Sequence, residues 1–123
     1  MQKISYTRLF ADAAGESHFE RVEAELAQEG DSPEFQALAI GPAAQCRVVG
    51  ASPAWEGAGL HTSPRRQVFC TLRGEYEVTA SSGQTQRFPP GRLLLLEDTT
   101  GKGHATRILG GGDLLVLVVT LAD

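Results

Sequence analysis

Turn-forming residues punctuate this chain at short, fairly even intervals. They are Asp12-Ala-Ala-Gly15, Gly30-Asp-Ser-Pro33, Gly41-Pro42, Gly57 to Gly59, Gly74, Ser81-Ser-Gly83, Pro89-Pro-Gly91, Gly101 to Gly103 and Gly110-Gly-Gly-Asp113. Between them lie short segments rich in Val, Leu, Thr, Phe and Tyr. Many short β-prone segments between regular turn signals predict an all-β sandwich or barrel. The clearest strands are Gln67–Leu72, Glu75–Ala80, Gln84–Phe88, Arg92–Glu97, His104–Leu109 and Leu114–Leu121. Ser82-Gly83 predicts a tight hairpin, because glycine supplies the positive φ that such turns need. In the first third, Ile4–Phe10 reads as a strand. His18–Ala27 fits helical spacing through Phe19, Val22 and Leu26, and alternation through Val22, Ala24 and Leu26. The β character of the rest favours strand. Residues Gln28–Pro42 read as a long loop, of the sort that serves as a lid or an interface.

At 123 residues the chain is the size of one domain, 1–123, with enough Leu, Val, Ala and Ile for one core. A net charge of −4 with scattered Lys and Arg suggests neither nucleic acid nor an acidic membrane surface as partner. The N-terminus lacks the apolar stretch of a signal peptide, and the run Leu114 to Val119 is too short to span a bilayer. With two cysteines, Cys46 and Cys70, these features predict free thiols and a cytoplasmic protein. Cys70, among Val68, Phe69 and Leu72, reads as a small core hydrophobe rather than a reactive thiol.

Two motifs bring the chain close to a known family. The first runs through His61, Ser63, Gln67 and Gly74, six residues lying between the last two. The second runs from Gly91 through Glu97 and Gly101 to His104, with Ile108 four residues further on. In glycine positions and spacing these resemble the two motifs of the cupins, Gly-x5-His-x-His-x3,4-Glu-x6-Gly and Gly-x5-Pro-x-Gly-x2-His-x3-Asn. The string Leu96-Glu-Asp-Thr-Thr-Gly-Lys-Gly-His104, with Ser63-Pro-Arg-Arg-Gln67 upstream, resembles a group of small bacterial single-domain cupins. The resemblance implies a single-domain cupin barrel, a double-stranded β-helix or jelly roll. Its motif-bearing core spans about 57–109, and residues 1–56 complete the barrel or a dimer interface. It also implies a homodimer, since small cupins pair through edge strands that would otherwise expose ladder groups.

Cupins typically hold Fe, Mn, Zn or Ni on three His and one Glu. Here His61 and His104 stand at two of those positions, Ser63 at the third, and Gln67 replaces the carboxylate. Losing the anionic ligand removes much of the attraction for a dication, so at most a weakly held divalent metal (Zn, Ni, Fe or Mn) on His61, Gln67 and His104 is expected. The two histidines are also candidate general acid–base groups, with Glu97 or Asp98 as partners. The plainer alternative is that both only hydrogen-bond inside the barrel. Arg65 and Arg66, with Lys102 and Arg107, could receive an anionic ligand at the barrel mouth or form a solvated, ion-paired rim. Trp55 and Phe69 are candidate pocket walls, core packing or an interface being the alternative. His18 reads as a loop or interface residue.

The function expected is binding of a small organic ligand in the barrel, an anionic one if the arginines receive it. A metal-dependent enzyme, dioxygenase- or isomerase-like, and a non-catalytic sensor or interaction module are the alternatives, because one fold hosts many chemistries.

Overall fold

The computed structural model describes residues 1–123 and contains strands but no helix. In chain order the strands are β1 (Lys3–Ala11), β2 (Ser17–Glu25), β3 (Ala27–Gln28), β4 (Gln36–Ala37), β5 (Ala43–Ala51), β6 (Ala58–His61), β7 (Gln67–Arg73), β8 (Glu75–Ala80), β9 (Thr85–Phe88), β10 (Leu93–Leu96), β11 (His104–Leu109) and β12 (Leu114–Leu121). A six-stranded sheet in the order β2-β1-β10-β7-β12-β5 faces a four-stranded sheet in the order β6-β11-β8-β9. The pairings are antiparallel except β1 with β10. The result is an all-β, jelly-roll-like sandwich.

Period-two alternation places the core between the sheets. Leu9, Tyr76, Val78, Phe88, Leu94, Leu96, Val116 and Val118 are buried there, with Phe19, Phe69 and Ile108 packed against them. Tyr76 stacks on Phe88 with ring centroids 5.1 Å apart and meets the edge of Phe69 at 6.3 Å. Such offset and edge contacts add to what the buried area alone provides.

Each of the six clearest expected strands is present, with ends moved by a residue or so. His18–Glu25 lies within β2, as alternation and context suggest, whereas Leu26 breaks the strand and Ala27 opens β3. The Ser82-Gly83 hairpin forms between β8 and β9, with Gly83 at φ 95° and its N–H donating to the Ala80 carbonyl at 2.9 Å. Three features differ from the expectations. Residues 28–42 are not wholly loop, since Gln36–Ala37 pairs with Ala27–Gln28. The turn expected at Gly57 to Gly59 gives way to β6, which starts at Ala58. Ala43–Ala51 carries no apolar alternation, yet it forms the nine-residue edge strand β5, exposed along most of its length. Pairing with the apolar β12 from Leu114↔Ala51 to Val119↔Cys46 imposes strand there where local propensity does not. No helix in the chain is long and apolar enough to cross a membrane.

Candidate functional site

Between the sheets a cavity of about 540 Å³ opens beside β5. Its wall on the large sheet is made by Arg47 and Val49 of β5, Val116 and Val118 of β12, and Gln67 and Phe69 of β7. Trp55, from the β5–β6 connection, and Tyr76 and Thr106, from the small sheet, complete it. Register explains the set: Arg47 lies opposite Val118, which lies opposite Phe69, so the three share one sheet face. The lining is mainly apolar with a few separated polar groups, the usual character of a small-molecule site. Burial pushes the Tyr76 hydroxyl well above the ordinary phenol pKa, with a smaller opposing influence from Thr71. It forms no hydrogen bond of good geometry, and Thr71 Oγ1 donates to the Phe88 carbonyl at 3.0 Å.

The imidazoles are not among the lining residues, although His104 stands two residues from Thr106 on β11. His104 opens β11 and is paired directly across the ladder with His61 of β6, their ring centroids 4.7 Å apart. Gly103 makes that approach feasible. Its φ is 77°, and a Cβ there would overlap the backbone carbonyl of His61. The loop is tied down on its other side, where buried Ser17 Oγ donates to the Gly103 carbonyl at 2.7 Å and Lys102 pairs with Glu16.

His104 is buried, and its Nδ1–H donates to Asp98 Oδ2 at 2.6 Å, inside the fold. Asp98 is fully buried; its Oδ1 has no partner, and its backbone carbonyl accepts from Ser63 N–H at 3.1 Å. Ser63 Oγ in turn accepts from Gln67 Nε2 at 3.1 Å and donates to the Arg65 carbonyl at 2.6 Å. His61 is exposed, and its Nδ1 must carry the proton, because its partner at 2.8 Å is the Gly59 carbonyl. Both rings therefore keep Nε2 free, as a general base or a metal ligand requires.

Of the expected ligand trio, then, His61 and His104 stand together, and Gln67 is linked to them through Ser63 and Asp98 while its side chain faces the apolar cavity. No group of three or more His, Cys, Asp or Glu side chains converges to hold a metal ion.

The rim arginines are held by the fold. Arg65 donates to the Leu121 carbonyl at 2.9 Å. Arg66 pairs with Glu97 at 2.8 Å and also with Asp123, and Arg8 pairs with Glu97 from β1. Arg107 pairs with Glu77 at 2.7 Å across β11 and β8. Phe69 and Trp55 both line the cavity, whereas His18 pairs with Asp12 at 2.7 Å at the β1–β2 turn.

Arg47, Val49, Tyr76 and Thr106 enter the cavity without having been singled out from the sequence. For Tyr76 a signal existed: it alternates with Val78 and Ala80, which turns a hydroxyl toward the core. For Arg47 there was none, because its strand has no apolar pattern.

No protein-family model matches this chain, and no curated protein does. Among solved structures it is similar to protein NMB1881 from Neisseria meningitidis, at 15% identity and a TM-score of 0.46, over 80% of this chain and 81% of that one.

Proposed function

We propose that this chain is a cupin-type protein that binds a small organic molecule in the cavity between its sheets. The observation that carries the reading is the cavity itself, about 540 Å³ of mainly apolar wall with Gln67, Tyr76 and Arg47 as separated polar groups. The cupin assignment is supported by the two-sheet jelly-roll arrangement and by the motif glycines. Gly74, Gly91 and Gly101 all take positive φ, between 79° and 89°, which those motifs use to turn the chain. Trp55 is the only tryptophan and lines the cavity, so its fluorescence reports occupancy. Titration with a fragment library should give a saturable change that Val118→Trp, which fills the cavity, abolishes. A response unaltered by that substitution would sink the reading.

A second reading uses the imidazole pair. Both Nδ1 atoms are committed to acceptors, leaving two free Nε2 atoms for a weakly held Zn, Ni, Fe or Mn ion together with Gln67. Gln67→Glu restores an anionic ligand and should raise Zn or Ni affinity, and His104→Ala should remove binding. Unchanged affinity in the Glu variant would separate Gln67 from the metal.

The protein is further proposed to be a cytoplasmic homodimer, with no membrane or nucleic-acid partner. Cys46 and Cys70 are both free thiols, which fits a reducing compartment. On the outer face of the large sheet, Val48, Leu117, Cys70 and Leu93 stand side by side across four strands, next to the row Cys46, Val119, Val68 and Leu95. An uncharged patch beside the open edge of β5 suits a second copy related by a two-fold axis. Val48→Lys should shift sedimentation equilibrium toward monomer, and a parent that is already monomeric at micromolar concentration would refute the dimer.

A further inference from the structure

A short chain of hydrogen bonds fixes which way Gln67 faces in the cavity wall. Ser63, 2% exposed, has one hydroxyl proton, and its partner at 2.6 Å is the Arg65 carbonyl, which can only accept. Toward Gln67, 3.1 Å away, the same oxygen can therefore only accept. The amide must turn Nε2 to Ser63 and Oε1 the other way. Gln67 is itself only 7% exposed, and its one side-chain bond is the one to Ser63, so Oε1 has no partner in the fold. That oxygen is not sealed off either, because the closed, unpartnered side-chain atoms are Tyr76 Oη and Asp98 Oδ1 alone. The open space that Gln67 borders is the cavity, which thus meets a carbonyl oxygen of fixed direction. Such an oxygen accepts a hydrogen bond and cannot give one.

We infer that the cavity selects a neutral hydrogen-bond donor, an apolar body carrying a hydroxyl or an N–H, with the donor resting on Gln67 Oε1. The inference rests on the cavity being the ligand site. A ketone or carboxylate in that position would set lone pairs against lone pairs and leave both acceptors unmatched, which is costly away from water. A protonated amine would find no carboxylate in the wall and one guanidinium, that of Arg47. Phe69, Val116 and Val118 provide apolar surface for the body of the ligand. Ser63, which does not line the cavity, acts as the positioning residue that decides which end of the amide the ligand meets.

The test uses three probes with one carbon skeleton on the full-length protein, read by calorimetry and by saturation transfer from protein to ligand. They are 1-phenylethanol, which carries a donor, acetophenone, which carries only an acceptor, and ethylbenzene, which carries neither. The alcohol should bind about tenfold tighter than the ketone, the worth of one well-placed hydrogen bond. Gln67→Met keeps the length of the side chain without its acceptor, and should remove the advantage of the alcohol while leaving ethylbenzene unchanged. Ser63→Ala frees the amide to turn, so the ketone should gain and the gap between alcohol and ketone should close, again with ethylbenzene unchanged. A merely structural role for Ser63 would weaken all three probes alike and would overturn its part in the inference. Alcohol and ketone binding equally to the parent, or a gap that survives Gln67→Met, would overturn the donor class while leaving the cavity as a ligand site. Binding of none of the three, ethylbenzene included, would overturn the cavity reading and this inference with it.

Discussion

The imidazole network of this fold and its cavity treat polar groups in opposite ways. Around the imidazoles most polar atoms are committed: His104 to Asp98, His61 to Gly59, Ser63 to both Gln67 and Arg65. Left over are Asp98 Oδ1 and the Nε2 atoms of the two imidazoles. In the cavity Gln67 bonds to Ser63, but Arg47 is unpaired and the Tyr76 hydroxyl is buried without a partner. A satisfied network is worth more inside a protein than in water, and an unsatisfied group costs more. The first region therefore holds the fold together, and the second weakens it slightly. The sign of a substitution's effect on stability should differ between them.

The largest effect is expected at His104. Replacing it with Ala leaves the Asp98 carboxylate, 0% exposed, without its partner, and stranding a buried charge in this way costs about 3–5 kcal/mol. Urea unfolding should show the loss, and adding Asp98→Ala to the variant should recover part of it by removing the stranded charge. A double variant no more stable than the single one would show that Asp98 is not what makes His104 costly to lose. Gly103→Ala comes next. It adds a Cβ at φ 77° against the His61 backbone, and an incompatible backbone site of this sort costs more than about 1 kcal/mol. The imidazole resonances of both His61 and His104 should move with it, and shifts confined to His104 would break the link between Gly103 and the pairing of the two rings.

The opposite sign is expected at Tyr76. Tyr76→Phe removes a buried hydroxyl that has no partner and should stabilise the ligand-free protein by about 1 kcal/mol, because an unmet hydrogen bond is expensive. Arg47→Gln, at an exposed and unpaired site, should change stability by less than about 0.5 kcal/mol. A loss of stability in Tyr76→Phe would mean the hydroxyl has a partner in solution, and the contrast between the two regions would fail there.

Legibility followed the same division. The strands and the tight turn were readable because period-two alternation and glycine act locally: Leu93–Leu96, His104–Leu109 and Leu114–Leu121 carry their own pattern. The pairing of His61 with His104 followed the spacing of two glycine-framed motifs. The cavity was harder to read. Trp55, Phe69 and Gln67 were singled out from residue type and motif position, but Arg47 lies on β5, whose existence depends on hydrogen bonds to β12 some seventy residues away. The rim arginines carried the charge pattern of an anion site, but the Leu121 carbonyl, Glu97 and Asp123 engage them. Those partners are distant in the chain, so no local reading could pair them.

The smallest effect concerns acid. Four carboxylates outside the cavity are held below their ordinary pKa: Glu77 by Arg107 and then Arg87, Glu16 by Lys102 and Ser81, Asp12 by His18 and the N–H groups of Ala14 and Glu16, and Glu34 by the Ser32 hydroxyl. Each has a lower pKa folded than unfolded, so the unfolded chain takes up protons first as pH falls. The stability these groups contribute is complete above the ordinary carboxylate values of 4.5 for Glu and 3.8 for Asp, and it drains away as pH drops through and below them. Glu77→Gln should therefore narrow the gap between stability at neutral pH and at pH about 3, where the parent is losing the same ion pairs. The change should be modest, because both arginines that pair with Glu77 are largely exposed and such pairs contribute little, and it should shrink in high salt. Since no carboxylate lines the cavity, Tyr76→Phe and Arg47→Gln should run parallel to the parent over the whole pH range, displaced but not tilted. A tilt in either curve would place a titrating group against the cavity, and the boundary between the two regions would have to move to include it.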